Sequence, residues 1–157
     1  MKLSEHFHLS EFTTSQTAAR RRIDNTPPPA VIRALTDLCV NVLEPVRRQF
    51  GPVTVSSGYR SPALNRAVGG SASSQHMYGQ AADIECPGVS NHELATWISR
   101  NTAFDQIILE FYTPGQPNSG WVHVSWRATG RRGQLLTAAR VKRLGRFKTE
   151  YLPGLRA

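Results

Sequence analysis

The segment Ser74-Gln75-His76-Met77-Tyr78-Gly79-Gln80-Ala81-Ala82-Asp83 sets a histidine and an aspartate seven residues apart, with a glycine between them. Imidazole nitrogen and carboxylate oxygen are both good Zn2+ ligands, and a third ligand usually arrives from elsewhere in a chain. His123 is the best candidate, flanked by Trp121, Val122 and Val124 in a segment that reads as a strand. Three protein ligands in a tetrahedral site leave one position for water, which hydrolysis requires. The same spacing is also compatible with a surface histidine and an ordinary aspartate. His6, His8 and His92 lack such a setting and read as surface or helix-capping residues.

A carboxylate reaches the same place by a separate route. Gln106–Tyr112 and Trp121–Trp126 read as two strands joined by Thr113-Pro114-Gly115-Gln116-Pro117-Asn118-Ser119-Gly120, a run of turn residues, so the pair is expected to form a hairpin. If the hairpin pairs symmetrically, Glu110 opposes His123 and Ile107 opposes Trp126. Directly opposed residues share a face of the sheet, about 4.5–5.5 Å apart at Cβ. Glu110 would then be placed to take a proton from water and pass it to a leaving amine. A one-residue slip would turn it away. It could equally serve only to orient a ligand.

The elements that must position these residues follow from pattern. Ser10 reads as the N-cap of a short helix through about Arg22. Asp24-Asn25-Thr26-Pro27-Pro28-Pro29 must be a loop, because consecutive prolines remove donors and force extended backbone. Val31, Leu35, Leu38, Val42, Leu43, Val46 and Phe50 recur at three- and four-residue steps, which predicts a buried-face helix over 30–50, kinked near Pro45. Val53–Ser56 alternates and is β-branched, as a strand would be. Residues 58–83 read as loops with a short helix near Pro62–Ala67, leading into a strand at Ala81–Glu85. Ser90 caps a further helix whose Leu94, Trp97 and Ile98 face inward. Helices come first and strands follow around an irregular middle, so the fold class is α+β, with no internal repeat.

The chain has 157 residues, of which 39% are hydrophobic, and this suits a single globular domain. No run approaches the roughly 20 apolar residues of a membrane span. The opening MKLSEHFHLSEF carries acids and histidines where a signal peptide carries an apolar run, so the chain is expected to be made in the cytoplasm without one. Two cysteines, Cys39 and Cys86, cannot form a disulfide framework, although one bridge is open by count; Cys39 lies in an apolar helical run and reads as a buried thiol. Residues 1–126 hold ten basic and ten acidic groups, whereas 127–157 hold nine basic groups against Glu150 alone. The whole net charge of +8 therefore lies in the last fifth of the chain. Such a segment is attracted to anionic wall or outer-membrane polymer, anionic lipid or nucleic acid. Either Arg131, Arg132, Arg140, Lys142, Arg143, Arg146 and Lys148 act as a tether, or Leu135, Leu136, Val141, Leu144, Phe147, Tyr151 and Leu152 pack onto the core, or both. It lacks the interleaved aromatics of a nucleic-acid stacking platform, so no specific nucleic acid is expected.

Taken in order, Ser57-Gly58-Tyr59-Arg60-Ser61-Pro62, Leu64-Asn65, Val68-Gly69-Gly70, the S-x-H-x-x-G-x-A-x-D run and Trp121-Val122-His123-Val124-Ser125 resemble the zinc D-Ala-D-Ala carboxypeptidase family, which shares its fold with hedgehog-type domains. The resemblance covers about residues 5–127, including Leu9-Ser10-Glu11-Phe12 and Ile23-Asp24-Asn25-Thr26-Pro27, and is nearest to small phage and prophage peptidases or endolysins. It leaves 128–157 as a basic extension, packed on the domain or trailing from it. The resemblance implies one Zn2+ per chain held by His76, Asp83 and His123, on a small antiparallel sheet with helices packed against it. It also implies that Arg60 binds a substrate carboxylate or carbonyl, with Ser74 as a second substrate-binding residue. A guanidinium fork suits that task, although Arg60 could instead stabilise its loop through a salt bridge. There is one departure. Relatives often carry a glutamate three residues before the last ligand, or a histidine two before it; here those positions are Gly120 and Trp121, so Glu110 rests on the hairpin.

The reading favoured by these residues is a monomeric zinc peptidase with Glu110 and Arg60 as catalytic groups. Its expected substrate is a peptide bond in peptidoglycan stems or cross-links, cut by D,D-carboxypeptidase, endopeptidase or L-Ala-D-Glu chemistry. A phage or prophage endolysin of this kind would reach the wall by holin-type release, lysis or virion delivery. The alternative keeps the zinc and the fold without catalysis, as a wall-binding or virion structural module.

Overall fold

The apolar stripe between Val31 and Phe50 forms one continuous helical stretch, and the proline inside it decides how that stretch is built. In the computed structural model, which describes residues 1–157, α3 (Pro29–Leu38) passes through a π-helical turn (Cys39–Leu43) into α4 (Glu44–Phe50). Pro45 has no N–H to give the carbonyl one turn back. The wider π turn takes up that missing bond, so the stretch stays helical through Pro45. Val31, Leu35, Leu38, Val42, Leu43 and Val46 all point into the core.

The single helix expected from Ser10 to Arg22 is two. α1 (Leu9–Thr13) begins two residues earlier, with His8 and not Ser10 as its N-cap, where the Glu11 carboxylate accepts from the His8 N–H, and ends at extended Thr14. Ser15 is also extended, and its hydroxyl caps α2 (Gln16–Arg21) by accepting from the Ala18 N–H. α5 (Pro62–Ala67) and α6 (Asn91–Asn101) start at Ser61 and Ser90, each with its hydroxyl accepting from the N–H three residues on.

Six strands form one sheet in the order β1-β2-β4-β3-β5-β6, where β1 is Thr54–Ser57, β2 Ala81–Glu85, β3 Gln106–Glu110, β4 Trp121–Ser125, β5 Gln134–Arg143 and β6 Arg146–Pro153. Every pairing is antiparallel except β3 with β5. Side chains alternate across a strand. Ala82 and Ile84, Ile107 and Leu109, Val122 and Val124 therefore join the helices in one core, while Asp83, Glu110 and His123 are carried on the opposite face. The α+β class with helices packed against a sheet holds, but the sheet is larger than the four strands read from sequence and is mixed, not purely antiparallel, because β5 joins β3 in parallel. Cys39 and Cys86 are both free and buried, and burial pushes their thiols up to about 12 and about 11.

The basic C-terminal segment is the missing pair of strands. Only residues 134–138 of β5 pair with β3; beyond them β5 and β6 continue as a two-stranded ribbon. Leu135 and Leu155 pack against the core. Leu144, Phe147 and Tyr151, which could have packed there, stay exposed.

The β3–β4 hairpin pairs Glu110 with Trp121 and Ile108 with His123, not Glu110 with His123. The expected register assumed extended backbone through Tyr112, but Phe111 has φ 57°, which ends β3 at Glu110. The error is two residues, one full pleat, so Glu110 keeps the face of His123. Gly120 closes the turn at φ 65°, and a Cβ there would sit 1.8 Å from the Glu110 carbonyl oxygen. No side chain fits that position in this turn. Gly120→Ala is expected to destabilise the fold by at least about 2 kcal/mol, from left-handed strain plus the clash. Chemical denaturation should show this as a lower midpoint at an unchanged slope; a midpoint like the parent's would mean the turn is not fixed this way.

Candidate metal centre and its cleft

His76 sits in a 3-10 turn, Gln75–Tyr78, whose first N–H groups are drawn in by Ser74: its hydroxyl accepts from the His76 N–H at 3.2 Å. The imidazole is 2% exposed. Its Nδ1 lies 2.7 Å from the Gly58 carbonyl oxygen. A carbonyl can only accept, so the proton resides on Nδ1 and the Nε2 lone pair is left free. That Nε2 is buried without a hydrogen-bond partner and lies 3.3 Å from Asp83 Oδ1.

The β2–β4 register places Asp83 directly opposite His123, and the same Oδ1 lies 3.1 Å from His123 Nδ1. One donor atom from each of the three residues falls within 4.8 Å of the others. With the His76 Nδ1 turned to Gly58, its Nε2 and Asp83 Oδ1 face each other at 3.3 Å as two electron-pair donors, an arrangement that suits a cation. Tetrahedral coordination at about 2.0–2.1 Å separates neighbouring ligands by about 3.3 Å, so the spacing, the mixed imidazole and carboxylate donors and the orphaned Nε2 all fit zinc. Burial pushes the Asp83 carboxyl up, but the two imidazoles facing it more than offset this and hold it well below the usual carboxylate range. Glu5, His6 and Glu44 form a second cluster of donors. There the Glu44 carboxylate is already satisfied by the Ser4 hydroxyl and by the His6 N–H and ring, and it fastens the N-terminal segment to the π turn and α4.

The three residues lie in a cleft of about 560 Å³ that also takes in Arg60, Ser74, Glu110 and Trp121. A larger groove of about 770 Å³ between α2 and β1 meets the cleft at Arg60 and contains none of the donor atoms. Glu110 is partly buried; burial raises its carboxyl to about 7, His123 and Arg60 pull the other way, and Asp83 reinforces the rise. Arg60 donates from Nη1 to the Asn65 side-chain oxygen at 3.1 Å, so its loop contact is an amide and not an acid. Its Nε is buried without a partner.

The loop that carries Arg60 is fastened from the Ile23–Pro27 segment. Asn25 donates to the Thr13 and Tyr59 carbonyls and accepts from the Ser61 N–H. Sequence reasoning had no role for Asn25, because its partners are 12, 34 and 36 residues away. It also missed Arg127, Arg132 and Tyr151, which reach the cleft from the C-terminal segment. Of the nearby acids, Asp105 and Glu85 are not placed to act as a base. Asp105 is fully buried against Arg132, and Glu85 lies outside the cleft and accepts from Asn91.

The donor set predicts uptake of about one zinc per chain. Bound metal should raise the melting temperature, chelator should reverse the rise, and alanine at His76, Asp83 or His123 should abolish it. Elemental analysis beside thermal melting reads this out. Melting that is indifferent to zinc in a folded protein would remove the centre.

Comparison with known proteins agrees with this geometry. Over a 77-residue stretch the chain is 39% identical to the zinc D-Ala-D-Ala carboxypeptidase of Streptomyces albus G; the stretch is 48% of this chain and 28% of that protein, so the likeness spans under a third of the relative's length. The family model described as Peptidase M15 matches residues 5–125, which contain all three donors, Glu110 and Arg60. With a match over most of its length and a donor set that fits the zinc of such enzymes, the chain belongs to the Peptidase M15 family.

Proposed function

We propose that this chain hydrolyses a peptide bond in the stem peptides or cross-links of bacterial peptidoglycan, as a phage or prophage endolysin. The observation that carries the reading is the convergence of His76, Asp83 and His123 in an open polar cleft that also holds a carboxylate titrating near neutrality and a half-satisfied arginine. In this role the enzyme is made in the cytoplasm and meets the wall after holin-type lesions, lysis or virion delivery.

Zinc, when bound, supplies the positive charge that acidifies a water and polarises the scissile carbonyl. The chain's own residues do the rest. The Gly58 carbonyl accepts from His76 Nδ1, which leaves Nε2 facing the metal position. Glu110 takes the proton of the attacking water and delivers it to the departing amine nitrogen; a carboxyl near 7 is matched to both halves of that transfer. Arg60 keeps donors free for a carboxylate or carbonyl of the peptide, and Ser74 stands beside His76 at the cleft wall. The products are a new carboxylate and a free amine.

Digestion of purified peptidoglycan, read by mass spectrometry of the released muropeptides, tests the reading and identifies the bond. Binding to the wall without release of fragments would instead favour a non-catalytic module. Glu110→Gln should keep zinc and fold and lower kcat by about 100-fold or more. The base must be ionised, so the parent's activity should fall as pH drops through the Glu110 pKa. The nearby zinc charge places that limb at or below about 7. If Gln supports near-parental turnover, or the limb survives the substitution, another group is the base.

The ribbon supports a second element of the proposal. Arg140, Lys142, Arg143, Arg146 and Lys148 are exposed on it together with Leu144 and Phe147, and only Arg143 has an acidic partner, Glu150 at 3.4 Å. These groups would hold the enzyme on anionic wall or outer-membrane polymer. Attraction between exposed charges is screened beyond about 10 Å at 0.1 M salt. Binding to intact wall should therefore fall steeply with ionic strength while cleavage of a short neutral peptide barely changes. Neutralising these five groups in a folded protein without loss of low-salt wall affinity would rule the tether out.

A further inference from the structure

The C-terminal segment does more than extend the sheet, because it brings a second cationic pole to the cleft. Asp105, just before β3, is 0% exposed. Its carboxylate accepts from the Arg132 backbone N–H at 2.8 Å, from Arg132 Nε at 3.1 Å and Nη2 at 2.7 Å, from Gln75 Nε2 at 2.9 Å and from the Ser125 hydroxyl at 3.3 Å. Arg127 Nε lies 3.3 Å from the same carboxylate. Two guanidiniums against one carboxylate leave one net positive charge in the cleft, and both side chains retain over a third of their exposure, 37% for Arg127 and 41% for Arg132.

The donors not used inside the chain are the informative ones. Arg132 spends Nε and Nη2 on Asp105 and on the Gln75 side-chain oxygen, and Arg127 spends Nε and Nη2 on the Gly130 carbonyl. Nη1 of each remains free, on an arginine whose plane is fixed by a buried partner. Gln75 is the residue before His76, so this platform is tied directly to the turn that carries a metal donor. The strand order sets the sides. Arg60 follows β1, the donors Asp83 and His123 stand on β2 and β4, and Arg132 precedes β5 beyond β3. A peptide laid across the metal centre meets one cationic pole before it and another after it. Arg127 and Arg132 lie outside the family match, which ends at residue 125.

We propose that Arg127 and Arg132, held by Asp105, form a carboxylate subsite on the side of the scissile bond away from Arg60, so that the preferred substrate is an acidic peptide with a free carboxylate on both sides of that bond. The proposal rests on the peptidase reading for what crosses the cleft and on the ion cluster for what is recognised.

The test uses the zinc-loaded full chain and two short stem-type peptides that differ only in a free carboxylate or a carboxamide at the residue on the Arg127–Arg132 side. Calorimetric Kd values and kcat/KM are both measured. The acid should bind about tenfold tighter or more than the amide, as a charge-assisted contact does. Arg127→Gln leaves Asp105 paired with Arg132 and should reduce that preference several-fold. The combined Arg132→Gln, Asp105→Asn variant removes the ion pair as a unit and should reduce it likewise. Equal Kd values in the parent, or an undiminished preference in both folded variants, overturns the subsite even if both peptides are cut. Tighter binding of the acid with neither peptide cut supports the subsite and sinks the peptidase reading instead.

Discussion

The site is built on the cross-strand pair Asp83–His123. Pairing β2 with β4 in this register puts a carboxylate and an imidazole opposite each other on the open face, 3.1 Å apart, without any loop having to find its place. The strands are buried on their other face through Ala82, Ile84, Val122 and Val124, so a one-residue slip would exchange donors for core residues. Core packing therefore fixes the distance between two of the three donors. Only His76 arrives from outside the sheet, on its 3-10 turn, and it is the donor with the most supports.

Those supports form a chain of polar contacts that runs through the loops. Gly58 holds the His76 ring, and the His76 carbonyl in turn accepts from the Arg60 N–H. Asn25 clamps Tyr59 and Ser61 on either side of Arg60. Asn65, buried in α5, accepts from Arg60 and donates to the Ser71 carbonyl. Gly70 lies so close to that pair that a Cβ there would stand 2.1 Å from the Asn65 side-chain oxygen. Buried polar groups of this kind must be partnered, since an unpartnered one costs about 1–3 kcal/mol. The two atoms left without partners in this network, His76 Nε2 and Arg60 Nε, both belong to cleft residues, where a metal and a substrate can satisfy them.

How much of this the sequence disclosed depended on the range of the interaction. Short-range signals carried the helix start at Ser90, the short helix near Pro62–Ala67, strands β2 to β4 and the three candidate donors, because capping hydroxyls, alternation and ligand chemistry are local. Long-range contacts were silent. Asn25 reads as an ordinary turn residue until Tyr59 and Ser61 stand beside it. The C-terminal strands were hidden by their composition: beyond residue 138 the ribbon has no core to face, so charges fall on both of its sides and no alternation survives. Symmetric pairing of β3 and β4 failed on one residue, Phe111, whose left-handed backbone nothing in its type announces. Glu110 survived that failure because the offset was even.

Three carboxylates around the cleft illustrate how environment divides one chemical group into three uses. Asp105 is buried among two arginines, a glutamine and a serine, which outweigh the cost of burial and hold it ionised as a fixed counter-charge. Asp83 is ionised for a different reason: imidazoles face it and metal is its natural further partner. Glu110 has neither a bidentate arginine nor a facing imidazole in hydrogen-bond contact, so burial prevails and its carboxyl rises to about 7. A proton that is bound and released at little cost is what a transfer group needs, and of the three only Glu110 has one. Two of these carboxylates are thus held ionised by the groups around them, Asp83 by imidazoles and Asp105 by arginines, while Glu110 alone is raised toward neutrality.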